Sequence, residues 1–281
     1  MTKIQKEQII QKLRAFINHV GSPEKAANII GVSNVKLRDL VAGKIGKTSD
    51  EIFLKVADGV GWSPKVWEGV MTRDFQDITG KVQFAQENNA VIAITGEAGT
   101  GKSYALSDYS ATHSNAYLLR CSEFWNRKFF LSELLRVMGR DFSGLTVAEM
   151  VNEVVVTLKK KENPVLLLDE ADKLSDQVLY FFITIYNELE DKVGFVLCAT
   201  DHLSKRIKRG LKLNKKGYKE IYSRCNRKFV ELKGVSEADI IMICKANGIA
   251  EKRVIKKIID DSDLDLRRVK QMVRAYLHDA A

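Results

Sequence analysis

The chain has 281 residues, enough for about two domains of ordinary size. Hydrophobic residues make up 45% and charged residues 29%, a balance that excludes an intrinsically disordered chain. The net charge of +9 is uneven: residues 1–80 carry +3, residues 81–200 carry −4 and residues 201–281 carry +10. An acidic middle between basic flanks places any polyanionic partner on the flanks. The four cysteines (121, 198, 225 and 244) show no metal-ligand spacing and no disulfide framework, and Cys198 and Cys244 sit in apolar runs as core residues. No secretory signal and no apolar run of membrane-spanning length is visible, so a soluble cytosolic protein is expected, with no membrane partner.

In chain order, residues 3–20 space Ile9, Ile10, Leu13, Phe16, Ile17 and Val20 as one helix. Gly21-Ser22-Pro23 stops it and starts the next, with Ser22 as N-cap and Pro23 at the first helical position. Ala26 and Ala27 are small where helices cross, Gly31 takes a sharp turn, Ser33 caps a second helix to about Ala42, and Val32, Leu37 and Leu40 face inward. That is a helix-turn-helix pattern. Its exposed side chains include Asn34, Lys36 and Arg38, followed by Lys44 and Lys47 as phosphate candidates. Thr48 and Glu51 are expected to form a capping box for a helix through Val56. Residues 60–80 read as a connector, with the domain boundary near residue 70.

From Ala90 onward short apolar strands alternate with amphipathic helices. Strands are expected at 90–95, 116–120, 164–168, 194–199 and 227–231, which implies an α/β fold with a parallel sheet covered on both faces. Residues 236–279 read as three helices. The divisions are a helix-turn-helix domain with connector (1–70), an α/β core (71–232) and a small helical lid (233–281).

Gly96-Glu97-Ala98-Gly99-Thr100-Gly101-Lys102-Ser103 matches the phosphate-binding loop in full, after a strand and opening a helix. Its glycines let backbone N–H groups approach phosphate, and the helix N-terminus adds positive potential. Lys102 is expected on the β- and γ-phosphates of ATP and Ser103 on Mg²⁺, with Tyr104 following among the nucleotide contacts. Four apolar residues then lead into Asp169 and Glu170, at the carboxyl end of a parallel strand, where open α/β sheets bind ligands. Asp169 is the second expected magnesium residue, and Glu170 the base that activates the attacking water. Thr200 ends the strand GFVLCAT, where its hydroxyl can orient that water. The letters DEAD also fit a helicase motif, but about 190 residues after Ala90 leave no room for the two recombinase-like domains such an enzyme needs.

The order of phosphate loop, Asp-Glu strand, strand-end Thr, Ser223-Arg224-Cys225 and helical lid resembles the AAA+ ATPases. The tripeptide is similar to one in clamp-loader subunits, which implies that Arg224 is an arginine finger serving a neighbouring subunit. Leu264-Asp265-Leu266-Arg267-Arg268-Val269 resembles the start of the last lid helix of that superfamily, which implies that Arg267 senses nucleotide; Asp263 or Leu264 stands where a glycine is usual. A narrower resemblance, carried by VLLLDEADKL and by residues 221–249, is to the phage Mu-type transposition B family, related to the TnsC and IstB regulators. It implies ATP-dependent polymers, rings or helical filaments of the same chain, that bind double-stranded DNA and deliver it to a transposase. In such a polymer the SEFWNRK loop would offer Arg127 and Lys128 to DNA, with Arg140 further along. A helicase loader and an ATP-gated DNA-binding regulator remain the other readings. The segment 205–219 holds eight Lys or Arg in fifteen residues and reads as a solvated or disordered run, with no site assigned.

Overall fold

Two compact units divide the computed structural model, residues 1–68 and 69–281. The structure describes residues 3–44, 48–62 and 67–279.

In the first unit, α1 (Lys3–Val20), α2 (Pro23–Ile30), α3 (Asn34–Val41) and α4 (Asp50–Gly59) enclose one apolar core. Ser22 and Ser33 cap α2 and α3 by accepting from the Lys25 and Lys36 N–H groups. Gly31 takes φ 74° between them, and Ala26, Ala27, Leu37 and Leu40 are buried. Val32 is only half-buried beside them. The expected Thr48–Glu51 capping box does not form. The helix begins one residue later, with Ser49 as its N-cap and no side-chain cap bond. Asp50 and Glu51 instead occupy the first turn, where their charge suits the helix dipole, and Asp50 pairs with Lys6 at 2.6 Å.

The second unit opens with a helix that the connector reading did not anticipate, α5 (Arg73–Asn88). Thr72 caps it, and Phe75, Ile78, Val82 and Ala85 form its buried stripe. Residues 63–66 of that connector lie outside the described residues. The strands are β1 (Val91–Thr95), β2 (Ala116–Arg120), β3 (Val165–Asp169), β4 (Gly194–Ala199) and β5 (Phe229–Glu231). All pairings are parallel, in the order β2-β3-β4-β1-β5. The last strand starts two residues later than the apolar pattern implied, because Asn226 and Arg227 turn through positive φ (53° and 55°).

Alternation sends successive strand residues to opposite faces. Val165, Leu167, Val196 and Cys198 pack with α5 and α6 (Lys102–Thr112). Leu166, Leu168, Phe195 and Leu197 enter the larger core. That core is built with α7 (Arg127–Val137), α8 (Val147–Lys159), α9 (Asp176–Leu189), α10 (Asp201–Lys212) and α11 (Tyr218–Arg224). Near-continuous apolar strands are what a sheet covered on both faces requires. The chain closes with α12 (Glu237–Ala246), α13 (Lys252–Ser262) and α14 (Leu266–Asp279). Buried Asp74 at the start of α5 accepts from the Lys233 and Gly234 N–H groups at 3.2 and 2.9 Å, fixing where the chain leaves the sheet. No described helix is long and apolar enough to cross a membrane.

Candidate nucleotide site

The loop from Gly96 to Gly101 joins the end of β1 to the start of α6. Gly99 and Gly101 hold φ of 80° and 89°, a region that residues with a Cβ rarely enter. The turn they make aims the first N–H groups of α6 into the loop, where an anion is favoured. Lys102 is 9% exposed; its ammonium folds back over the loop and donates to the Gly96 and Glu97 carbonyls at 2.8 and 2.5 Å. Burial pushes the Lys102 pKa down. The Asp169 and Asp172 carboxylates oppose the shift, and the Arg267 guanidinium adds to it.

Beside the loop, β3 ends at Asp169, which is 2% exposed. One carboxylate oxygen, Oδ1, accepts from the Glu170 N–H at 3.0 Å; the other, Oδ2, is buried with no hydrogen-bond partner. Burial raises the Asp169 pKa, against the pull of the Ser103 hydroxyl, the Glu170 N–H and Arg120. An orphaned carboxylate oxygen beside a serine hydroxyl suits Mg²⁺, which takes one or two carboxylates and completes its shell from phosphate and water. Among the described residues no cluster of three or more His, Cys, Asp or Glu could hold a metal without such help.

Glu170 follows in a left-handed conformation (φ 56°, ψ 40°) that swings it off the strand axis into a 3₁₀ turn, Ala171–Lys173. Its carboxylate accepts from the Lys173 ammonium at 2.8 Å. An open cleft of about 340 Å³ is lined by Ser103, Tyr104, Ser107, Arg120, Asp169 and Glu170. Tyr104 is 47% exposed and tilts on Phe75 with ring centroids 5.9 Å apart. Sequence reasoning missed Arg120. It is the last residue of β2 and pairs in register with Asp169, so its place at a strand's carboxyl end, next to the Asp-Glu strand, was the available signal.

Thr200 is the residue after β4. Its hydroxyl donates to Asp172 Oδ2 at 2.7 Å and so is engaged with the loop after Glu170 rather than with Glu170 itself. The α14 end closes over the phosphate loop, with Leu266 N–H donating to the Gly99 carbonyl at 3.0 Å. Arg267 is the second residue of α14 and exposed. Asp263 and Leu264, at the position where a glycine is usual, both take positive φ (54° and 56°). Arg224 ends α11. It donates to Asn187 Oδ1 at 2.5 Å, lies 3.6 Å from Glu220, and stacks over Tyr186 at 5.1 Å, with its Nε buried and unpartnered.

The expected DNA contacts are scattered. Asn34 is half-buried, and both it and Arg38 bind Glu24, so neither is a free side chain. Lys36 is exposed, and Lys44 pairs with Asp39 at 2.9 Å. Lys47 lies outside the described residues. Arg127 and Lys128 are exposed but belong to the first turn of α7, not to a loop, because Asn126 caps that helix. Arg127 sits over the Phe181 ring at 5.9 Å. Arg140 is exposed, 3.7 Å from Glu153. The segment 205–219, expected as a solvated or disordered run, keeps most of its cations exposed but is ordered, with residues 205–212 in α10 and 218–219 in α11.

Residues 85–207 match the AAA domain family. The chain is 25% identical over 194 residues to the Mu-like prophage FluMu DNA transposition protein B of Haemophilus influenzae, a match covering 68% of this chain. That match spans 65% of the relative, less than two thirds of its length. The fold is similar to that of the Aeropyrum pernix Orc1 protein, solved in complex with DNA, with a TM-score of 0.53 at 17% identity over 75% of this chain and 60% of that one. Parallel sheet, phosphate loop and Asp-Glu strand end give residues 69–281 the α/β fold of a P-loop NTPase core, within which residues 85–207 match the AAA domain family, in a chain that resembles DNA transposition protein B.

Proposed function

We propose that this protein is an ATP-dependent DNA-binding ATPase that assembles on target DNA, delivers it for transposition and activates a transposase. The observation that carries the nucleotide half is the convergence of Lys102, Ser103 and the unpartnered Asp169 oxygen below the docked start of α14. Incoming phosphate takes over the Lys102 ammonium from the Gly96 and Glu97 carbonyls. Ser103 and Asp169 hold Mg²⁺, which when bound neutralises charge developing on the phosphates. Glu170 takes the proton of the attacking water, once Lys173 yields its carboxylate. Thr200 holds Asp172 and thereby the turn that aims Glu170. Arg267 covers the nucleotide from α14, and Arg224 completes the site of a neighbouring copy. The resemblance to transposition protein B supports the DNA half, as do the basic flanks. The exposed Lys36, Arg127, Lys128 and Arg140 then serve as phosphate contacts, with the first unit as a helix-turn-helix head and α12–α14 as the lid.

Electron microscopy with ATP and duplex DNA tests this reading. A DNA-wrapped polymer of the chain is expected. A ring that forms only on a replicative helicase would replace it with a loader function.

A further inference from the structure

We infer that the exposed cations of α10 form a ridge that grips the phosphate backbone of duplex DNA, and that Arg206 ties this ridge to the turn carrying Glu170. The inference rests on the DNA-binding reading above and names a surface which that reading leaves unused.

Helical spacing puts Lys205, Lys208, Arg209 and Lys212 on one exposed face of α10, while Leu203, Ile207 and Gly210 are buried on the other. These cations stand three and four residues apart, and every such like-charge pair costs helix stability. From Lys205 to Lys219 the chain contains no acidic residue to offset them. Within the ridge Lys205 pairs with Asp201 and Lys208 stands 6.0 Å over the Phe229 ring, while Arg209 and Lys212 have no acidic partner among the described residues; further along, Lys215 lies 3.8 Å from Asp176. A row of cations with so little acidic compensation fits a polyanion. A protein partner would want large apolar anchors, and Leu213 is the one exposed large hydrophobic between residues 205 and 219. A phosphate backbone needs none.

The ridge is rigidly mounted. Gly210 lies so close to the Tyr218 ring that a Cβ there would meet it at 2.4 Å. On the half-buried side of α10, Arg206 donates to the Leu174 and Asp172 carbonyls at 2.6 and 3.2 Å, and pairs with Asp176. Tyr218 donates to the same Asp176 carboxylate at 2.7 Å. Asp172 also accepts from Thr200, the residue at which α10 begins. Both ends of the α10 anchor therefore meet two residues beyond Glu170. A displacement of α10 by bound DNA reaches that turn through Arg206 and Thr200.

The experiment measures duplex affinity against salt by fluorescence anisotropy with ATP present, together with DNA-stimulated ATP hydrolysis. Each phosphate contact contributes a slope of about 0.9 in log K against log salt. The Lys208→Ala/Arg209→Ala/Lys212→Ala variant should lose roughly two to three units of slope. The charge-keeping Lys208→Arg/Lys212→Arg variant should keep the wild-type slope, and thermal unfolding shows that both are folded. Arg206→Gln should bind duplex with the wild-type slope and lose most of the DNA stimulation. An unchanged slope in the triple alanine variant overturns the ridge, including the case in which it serves an acidic protein. Full DNA stimulation in Arg206→Gln overturns the tie. Wild-type protein that binds no duplex at any nucleotide state brings down the DNA-binding reading itself, an outcome distinct from either.

Discussion

The backbone N–H of Leu266 donates to the carbonyl of Gly99 at 3.0 Å, so the first turn of α14 is fastened to the middle of the phosphate loop. The adjacent Asp265 carboxylate lies against Gly99, and a Cβ on that glycine would come within 2.3 Å of it. The loop and the C-terminal helices therefore cannot rearrange independently.

Gly99→Ala is expected to lose nucleotide affinity by tenfold or more, on the order of 1.4 kcal/mol. It faces both the clash with Asp265 and a φ of 80° that alanine resists. Adding Asp265→Ala removes the clash but not the backbone strain, so recovery should be incomplete. Titration with a fluorescent ATP analogue measures both, and wild-type affinity in Gly99→Ala would refute the coupling.

Glu170→Gln should bind ATP normally and hydrolyse it about 10²–10⁴-fold more slowly, the usual contribution of a general base. Lys102→Ala should instead lose affinity, since its ammonium sits where phosphate is held. Single-turnover hydrolysis beside equilibrium titration separates the two. Turnover of Glu170→Gln within twofold of wild type would exclude Glu170 as the base.

The buried Asp169 makes a pH-dependent prediction. Burial raises its pKa in the folded state, so the folded chain binds that proton more tightly than the unfolded chain. Stability without nucleotide therefore falls as pH rises from the ordinary aspartate value through the raised one, and stays reduced above it. Asp169→Asn should melt at a higher temperature than wild type at neutral pH, with the gap closing at acid pH. The same variant should bind Mg²⁺-nucleotide poorly at every pH. On the alkaline side, wild-type affinity should decline before an ordinary lysine would titrate, because burial lowers the Lys102 pKa. Calorimetric melts across pH decide the matter; a lower melting temperature for Asp169→Asn at neutral pH would contradict it.

If Arg224 serves a neighbouring copy, hydrolysis per subunit should rise with protein concentration. Arg224→Ala should bind ATP but hydrolyse it roughly 10³-fold more slowly or worse. Mixing it with Glu170→Gln should restore activity, by pairing an intact finger with an intact base. Full-rate hydrolysis by dilute monomers would end the assignment. The unpartnered Arg224 Nε, beside the bond that Arg224 Nη2 donates to Asn187, makes Asn187→Ala a milder variant of the same test.

Removal of residues 1–68 should leave nucleotide affinity intact, since that unit has its own apolar core and none of the phosphate-loop or Asp-Glu residues. Duplex affinity should fall. Loss of ATP binding in a folded 69–281 protein would show that the nucleotide site depends on the head.

Local chemistry was enough to read much of this protein from its residues. Ser22, Ser33 and Gly31 act within a few residues of themselves, and so do the glycines of the phosphate loop. The apolar strands announce a sheet covered on both faces, because alternation has no solvent side to show. The helix Arg73–Asn88 was hidden, because its buried positions face β-strands far along the chain and its start lies in Gly-, Pro- and Trp-containing sequence. Which side chains share one volume was decided by tertiary structure alone. Arg120 meets Asp169 only through parallel register, Asp265 meets Gly99 only because α14 folds back over the loop, and Thr200 finds Asp172 across 28 residues. The basic run 205–219 shows the same division. Its charge is written in the residues, but its order comes from Arg206, Tyr218 and Asp176, whose bonds exist only once α9, α10 and α11 are packed together.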